Sequence, residues 1–215
     1  GVLYTKVSRQ HGALTDFALQ SFQYASQLYR AMFRAGELAA PRDGELCGSF
    51  QQSDDRDEMA VLREALAAVE QFGFDFVEQP LPADDVAGLA RLRRRSAVRI
   101  AVDESVSTEE GALRVIAAEA AQVFVLKPAM LGGAARALEI ATLVRKSGNE
   151  VVFSHAFESA VGAHHALHCA AAWGDATAHH GLRTAGLFVR DVADAVDSHD
   201  GRAALTATAG LGVTP

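Results

Sequence analysis

From residue 74 onward a short apolar run that ends on a polar or ionisable residue recurs at a nearly constant interval. Glu78 to Asp103 is 25 residues, Asp103 to Lys127 is 24, and Lys127 to Ser154 and Ser154 to Gly181 are each 27. The runs are "FDFVEQP", "AVRIAVDES", "QVFVLKP" and "EVVFSH", with a shorter "ATAHHGL" after them. They are near-continuous stretches of β-branched and aromatic residues rather than alternating ones, the pattern of strands buried on both faces of a parallel sheet. Between them lie helical stretches. One covers about residues 84–95, with Val86, Leu89 and Leu92 spaced by three. "TEEGALRVIAAEAA" offers Thr108 as a cap with Glu110 as an early acidic residue, and "GGAARALEIATLVRKSG" closes at Gly148. "SAVGAHHALHCAAAW" follows. A strand–helix beat of this length predicts an α/β fold built from consecutive βα units.

What closes each strand narrows the reading further. In "FDFVEQPLPADD", Glu78 ends the run, and Pro80 and Pro82 prevent further pairing. Taken alone, Glu78 reads as a solvated loop residue. Asp103 and Lys127 at the next two strand ends change that, because the carboxyl ends of the strands in a βα barrel face the active site. Two carboxylates and an amine then converge on one rim. Ser154 and His155 close the following strand. An open doubly wound sheet is the rival architecture, but the G-x-G-x-x-G turn that would mark its phosphate site is absent. Gly132 and Gly133 after the third run permit close backbone approach to a ligand or only a tight turn. Glu104 either supports Asp103 or faces the helix layer. His164, His165 and His168 lie inside a helix without a carboxylate on the same face, and read as packed or surface residues.

Composition excludes several classes. The chain has 215 residues, 49% hydrophobic and 22% charged, enough for a substantial core. A net charge of -7 and no basic run longer than Arg93-Arg94-Arg95, read as the solvated end of a helix, argue against nucleic acid or an anionic membrane as partner. Cys47 and Cys169 are far apart and build neither a disulfide framework nor a zinc site. With no membrane-length apolar run and no signal-peptide pattern, a cytoplasmic location is the expectation.

The motifs "VEQPLP", "AVDES", "VLKPAMLGG" and "FSHAFESAVG", in this order and spacing, resemble the enolase superfamily. Within it they look most like o-succinylbenzoate synthases and their relatives, the N-succinylamino acid racemases and dipeptide epimerases. The likeness runs from about residue 56 to the terminal "TAGLGV". It implies a (β/α)7β barrel, a small carboxylate substrate and Mg²⁺ held by Glu78 and Asp103, with Lys127 as base or cation opposite. A hard divalent ion suits clustered carboxylates, and it stabilises the enediolate formed when a proton leaves the carbon beside a carboxylate. Ser154 and His155, and with them Gly132 and Gly133, fall where substrate would be contacted. Glu158 and Ser159 match the family's "ES", although Ser159 could equally cap a helix.

The first 55 residues depart from that pattern, so the division expected is a divergent, helix-rich segment over 1–55, read as a remnant of early barrel strands, and a βα-barrel domain over 56–215, with no separate capping domain expected. The family's K-x-K is represented only by "YTK", with Lys6 in place of the catalytic second lysine, and Lys6 precedes Glu78 by more than two βα units of this beat. One step back from Glu78 falls on Ser53 where the family has D-x-N; Asp54 or Asp55 could supply the third ligand or cap the helix beginning near Arg56. The stretch "DFALQSFQYASQLYRAMFRAG" resembles nothing in the family, and a shifted reading frame or divergence after loss of the cap are its two readings. An incomplete barrel has open sheet edges, to be covered by the N-terminal helix or by a second copy of the chain. The expectation is a Mg²⁺-dependent carbon–oxygen lyase resembling o-succinylbenzoate synthase of menaquinone biosynthesis. The alternatives are an N-succinylamino acid racemase or dipeptide epimerase, and a truncated, non-catalytic barrel remnant.

Overall fold

Four of the apolar runs become strands, and the stretches between and after them become helices. The computed structural model describes residues 2–4, 9–10, 13–14, 75–156, 158–175, 178–182, 190–199 and 202–213. In chain order the strands are β1 (Val2–Tyr4), β2 (Arg9–Gln10), β3 (Ala13–Leu14), β4 (Phe76–Glu78), β5 (Arg99–Val102), β6 (Val123–Leu126), β7 (Glu150–Phe153), β8 (Ser198–His199) and β9 (Arg202–Ala203). The helices are α1 (Val86–Arg93), α2 (Glu109–Ala117), α3 (Ala134–Lys146) and α4 (Ala160–Trp173). One parallel sheet has the order β1-β4-β5-β6-β7, while β2–β3 and β8–β9 are short antiparallel pairs. Beyond β7, Ser154 forms a parallel bridge with Gly181, joining the two positions that close the twenty-seven-residue beat. A β-carbon on residue 181 would lie 2.6 Å from Ser154 Oγ, so a larger residue there would push that hydroxyl aside.

The helix ends follow local chemistry. Thr108 Oγ1 accepts from Gly111 N at 3.0 Å and Glu109 and Glu110 fill the first turn of α2, favourable beside the positive end of the helix dipole. Asp85 caps α1 through Gly88 N at 2.7 Å. Gly148, at φ +80°, ends the turn after α3 in the left-handed conformation that glycine tolerates. Ser159 stands at the N-cap of α4 but makes no capping hydrogen bond; Asp191 Oδ2 instead accepts from Ala160 N at 2.8 Å. The arginine triplet is only partly solvated, since Arg93 Nη1 donates to Glu119 O at 2.8 Å while Arg94 and Arg95 are exposed.

Strand alternation sorts the core into two layers. Val77, Ile100, Val102, Phe124, Leu126, Val151 and Phe153 pack against Leu89, Leu92, Val115, Ile140 and Val144 from the helices. Phe76, Ala101, Val123, Val125 and Val152 form a second cluster on the opposite face, and no helix residue joins it among the described residues. A doubly wound sheet carries helices on both faces; helices on one face only describe the wall of a barrel. The fold is therefore α/β and a partial TIM-like barrel. At the amino ends of the strands, Arg99 Nη1 meets Glu150 Oε2 at 2.5 Å, and Ile100 N donates to Gln122 Oε1 at 2.9 Å.

The position of β1 differs from the expected spacing. Its Val2, Leu3 and Tyr4 pair directly with Phe76, Val77 and Glu78, so no strand from the residues around Ser53 lies between them. A parallel pair requires a crossover of a dozen residues or more, and pairing sets no upper limit to it. Lys6, Ser53, Asp54, Asp55, Cys47 and the aromatic stretch 16–36 lie outside the described residues. The edge of β4 is taken by β1.

Two outcomes follow from this packing. Phe124 is fully buried, and Phe124→Ala is expected to lower unfolding free energy in urea by about 3–5 kcal/mol. His180 Nδ1 accepts a hydrogen bond from Phe153 N at 3.1 Å, and its ring lies 6.0 Å from that of Phe153. Burial, aided by His179, holds the His180 pKa below its ordinary value, against the opposing charges of Asp175 and Glu150. The unfolded chain thus binds this proton more readily, so stability present above the ordinary histidine pKa is lost as pH falls below it. Thermal midpoints should decline from pH 7 toward 5, and the slope should flatten in His180→Asn.

Candidate active site

Period-two alternation carries the second face of the sheet beyond the strand ends. Counting onward by two from Phe76, Ala101, Val125 and Val152 gives Glu78, Asp103, Lys127 and Ser154. The three ionisable residues and the serine thus share one face at the carboxyl ends of four consecutive strands. Glu78 and Asp103 are buried, with 9% and 5% of their surface exposed. The Lys127 ammonium donates to Asp103 Oδ2, and both side chains lie largely out of solvent. Taking either charge out of water is expensive, and removing one partner would strand the other.

The loops after the strands hold these groups. Gln79 follows Glu78 with φ +43° and links β4 to the turn that starts at Asp103. Its Oε1 accepts from Asp103 N at 2.9 Å and Ser105 N at 3.2 Å, and its Nε2 donates to Leu81 O and Ser105 Oγ, both at 2.9 Å. After Lys127, Met130 N and Leu131 N donate to Lys127 O at 3.0 and 3.1 Å, and Gly133 N to Pro128 O at 2.8 Å. Gly132 and Gly133 adopt φ +87° and +113°, values that exclude most side chains, and the space beside both is open. They begin the loop-to-helix passage on the Lys127 strand.

Ser154 Oγ donates to Gly181 O at 3.1 Å. His155 falls on the other parity, buried, with Nδ1 3.1 Å from Glu158 Oε2. Glu104 opens a single 3-10 turn, Glu104–Val106. His164 is buried and His168 Nε2 lies 3.3 Å from Leu211 O. Burial pushes the Cys169 thiol up to about 11, away from reactive range. Among the described residues no three His, Cys, Asp or Glu side chains are grouped to hold a metal ion. The donor set in view is two carboxylates, oxygen ligands whose chemistry suits a hard divalent cation that keeps part of its water shell. Sequence reading passed over three participants. Gln79 stood in the quoted "VEQPLP" and Ser105 ended "AVDES", but hydrogen bonding across 26 residues leaves no mark in spacing. Asp191 is another such distant cap.

Residues 42–215 match the family described as enolase C-terminal domain-like. The o-succinylbenzoate synthase of Mycolicibacterium smegmatis is 45% identical over 132 residues, 61% of this chain and 40% of that protein. The chain thus spans less than half the length of that curated relative. A muconate cycloisomerase variant superposes with a TM-score of 0.68 at 25% identity, over 74% of this chain and 44% of that one. The L-Ala-D/L-Glu epimerase of Bacillus subtilis, solved as a substrate complex, gives 0.60 at 26% identity, over 66% and 40%. The wall of parallel strands, the ionisable residues at its carboxyl ends and the family match across most of the chain agree, and this chain belongs to the enolase C-terminal domain-like family.

Proposed function

We propose that this chain is the barrel part of an o-succinylbenzoate-synthase-like lyase. The observation that carries the proposal is the buried Lys127–Asp103 pair on the same sheet face as Glu78. Identity to a synthase of that name supports the choice of reaction. In this reading Glu78 and Asp103 would hold Mg²⁺, which when bound supplies stabilisation of negative charge on a substrate carboxylate. Lys127 Nζ takes a proton from the carbon beside that carboxylate, and the ammonium so formed gives a proton to the hydroxyl on the adjacent carbon, which leaves as water as the carbon–carbon double bond forms. Asp103 can serve either the Lys127 ammonium or a cation. The amine is released for base work when the Asp103 charge is engaged elsewhere. Ser154, His155 and the Gly132–Gly133 backbone are assigned to substrate contact, and Lys6 to a second amine on the opposite side. Placing these roles on a small carboxylate substrate accords with the negative chain charge, which gives no footing to nucleic acid.

A racemase or epimerase of N-acylated amino acids or dipeptides is the second reading, favoured by the likeness to the L-Ala-D/L-Glu epimerase. It uses the same carboxylates and the same amine, with a proton returned by Lys6 in place of the loss of water.

Titration calorimetry with Mg²⁺ tests both. Glu78→Gln is expected to weaken binding by about tenfold or more, and wild-type protein that binds no Mg²⁺ would leave only a non-catalytic barrel remnant. Assays of cyclohexadiene dehydration and N-succinyl amino acid racemisation separate the two reactions. Lys127→Ala should reduce the active one by about a hundredfold or more.

A further inference from the structure

Gln79 is adjacent to a buried carboxylate yet spends its own side chain on a different task. A carboxamide has two N–H donors and an oxygen with two acceptor sites, and all four are used here. Oε1 takes the main-chain N–H groups of Asp103 and Ser105. Nε2 gives to Leu81 O and to Ser105 Oγ. Ser105 Oγ in turn donates to Ala83 O at 2.9 Å, and Ser105 is itself 4% exposed. Exchanging the amide oxygen and nitrogen would set an NH₂ against two N–H groups and an oxygen against a carbonyl, so the network admits one orientation. The Gln79 main chain also donates to Ala101 O at 2.9 Å, continuing the β4–β5 ladder one residue past Glu78.

The backbone at Gln79 carries strain for this arrangement. Its φ of +43° is a left-handed conformation that glycine or asparagine adopts more readily, and such residues persist where surrounding contacts over-determine them. Of the side-chain contacts that do so here, those to Asp103 N, Ser105 N and Ser105 Oγ bridge the two carboxylate-bearing strand ends, and the one to Leu81 O is local. Asp103 N is fixed by Gln79 while the Asp103 carboxylate meets Lys127. The Gln79 side chain therefore adds to the β4–β5 ladder a direct tie between the end of β4 and the turn that carries Asp103.

We propose that Gln79 is a positioning residue: its carboxamide clamps the Asp103–Ser105 turn to the end of β4 and so holds the two carboxylates in the spacing a divalent cation needs. The inference rests on the Mg²⁺-assisted reading given above. Gln79 touches no reacting atom; it acts through Asp103, where a small misplacement is costly in a preorganised site.

Gln79→Gly separates positioning from folding, because it removes the carboxamide while relieving the left-handed strain. Mg²⁺ affinity by calorimetry should fall about tenfold, with the thermal midpoint unchanged or raised and faster amide exchange at Asp103 and Ser105. A folded Gln79→Gly protein with wild-type Mg²⁺ affinity overturns the clamp and leaves the lyase reading standing. Wild-type protein that binds no Mg²⁺ overturns both. Should Gln79→Gly not fold, Gln79→Asn carries the test: asparagine accepts the left-handed backbone but is one methylene short of Asp103 N. It should lose Mg²⁺ affinity in the same direction, and wild-type affinity there overturns the proposal.

Discussion

Side chains of a parallel strand alternate between two faces, and among the described residues only one of those faces is covered by helices. That constraint organises everything else. Val77, Val102, Phe124, Leu126 and Phe153 close the helix-side core, so their neighbours must point the other way. Phe76, Ala101, Val125 and Val152 fill that second face, and the next residue of the same parity on each strand is Glu78, Asp103, Lys127 or Ser154. A slip of one residue in any strand would exchange an ionisable group for a core residue. The site and the core are thus specified by a single register.

Electrostatics at the rim follows from burial. Asp103 and Glu78 lie where water is scarce, and a carboxylate there is tolerable only with a compensating charge or strong donors. Lys127 supplies the charge to Asp103. Gln79 supplies rigidity by tying up the main-chain N–H groups of the turn in which Asp103 sits. At the other end of the strands, Arg99–Glu150 and the Gln122 contacts bind strands to one another, and among the described residues no comparable convergence of buried acids lies there. The polarity between a chemical end and a stabilising end is that of βα barrels.

The strand–helix beat was legible because buried parallel strands must be apolar on both faces and the helices between them must present an apolar stripe. It gave β4–β7 and α1–α4 with errors of only a few residues, and the last step of the beat, Ser154 to Gly181, joins two positions that the structure bridges. Thr108 and Gly148 were readable because caps are local chemistry. Ser159 misled: its type suits a cap, but Asp191, distant in sequence, takes that work. The neighbour of β4 was also hidden. Spacing pointed to residues near Ser53, whereas β1 occupies the place, because crossover length does not dictate which strand fills an edge. For the site, the residue types at strand ends were visible. His155, read together with Ser154, is buried with its Nδ1 beside Glu158, a contact its type alone does not announce.

By itself the sequence determined the α/β class, the order of the elements from β4 to α4 and the polar or ionisable residue at each of those strand ends, since these depend on periodicity and on neighbours a few residues apart. Tertiary structure decided that the described helices cover one face of the sheet, that β1 lies against β4, that Lys127 meets Asp103, and that Gln79 locks the turn beside them. Those facts depend on contacts between residues some two dozen or more positions apart. Their partners are chosen by packing geometry and hydrogen-bond direction in three dimensions, and neither leaves a periodic trace along the chain.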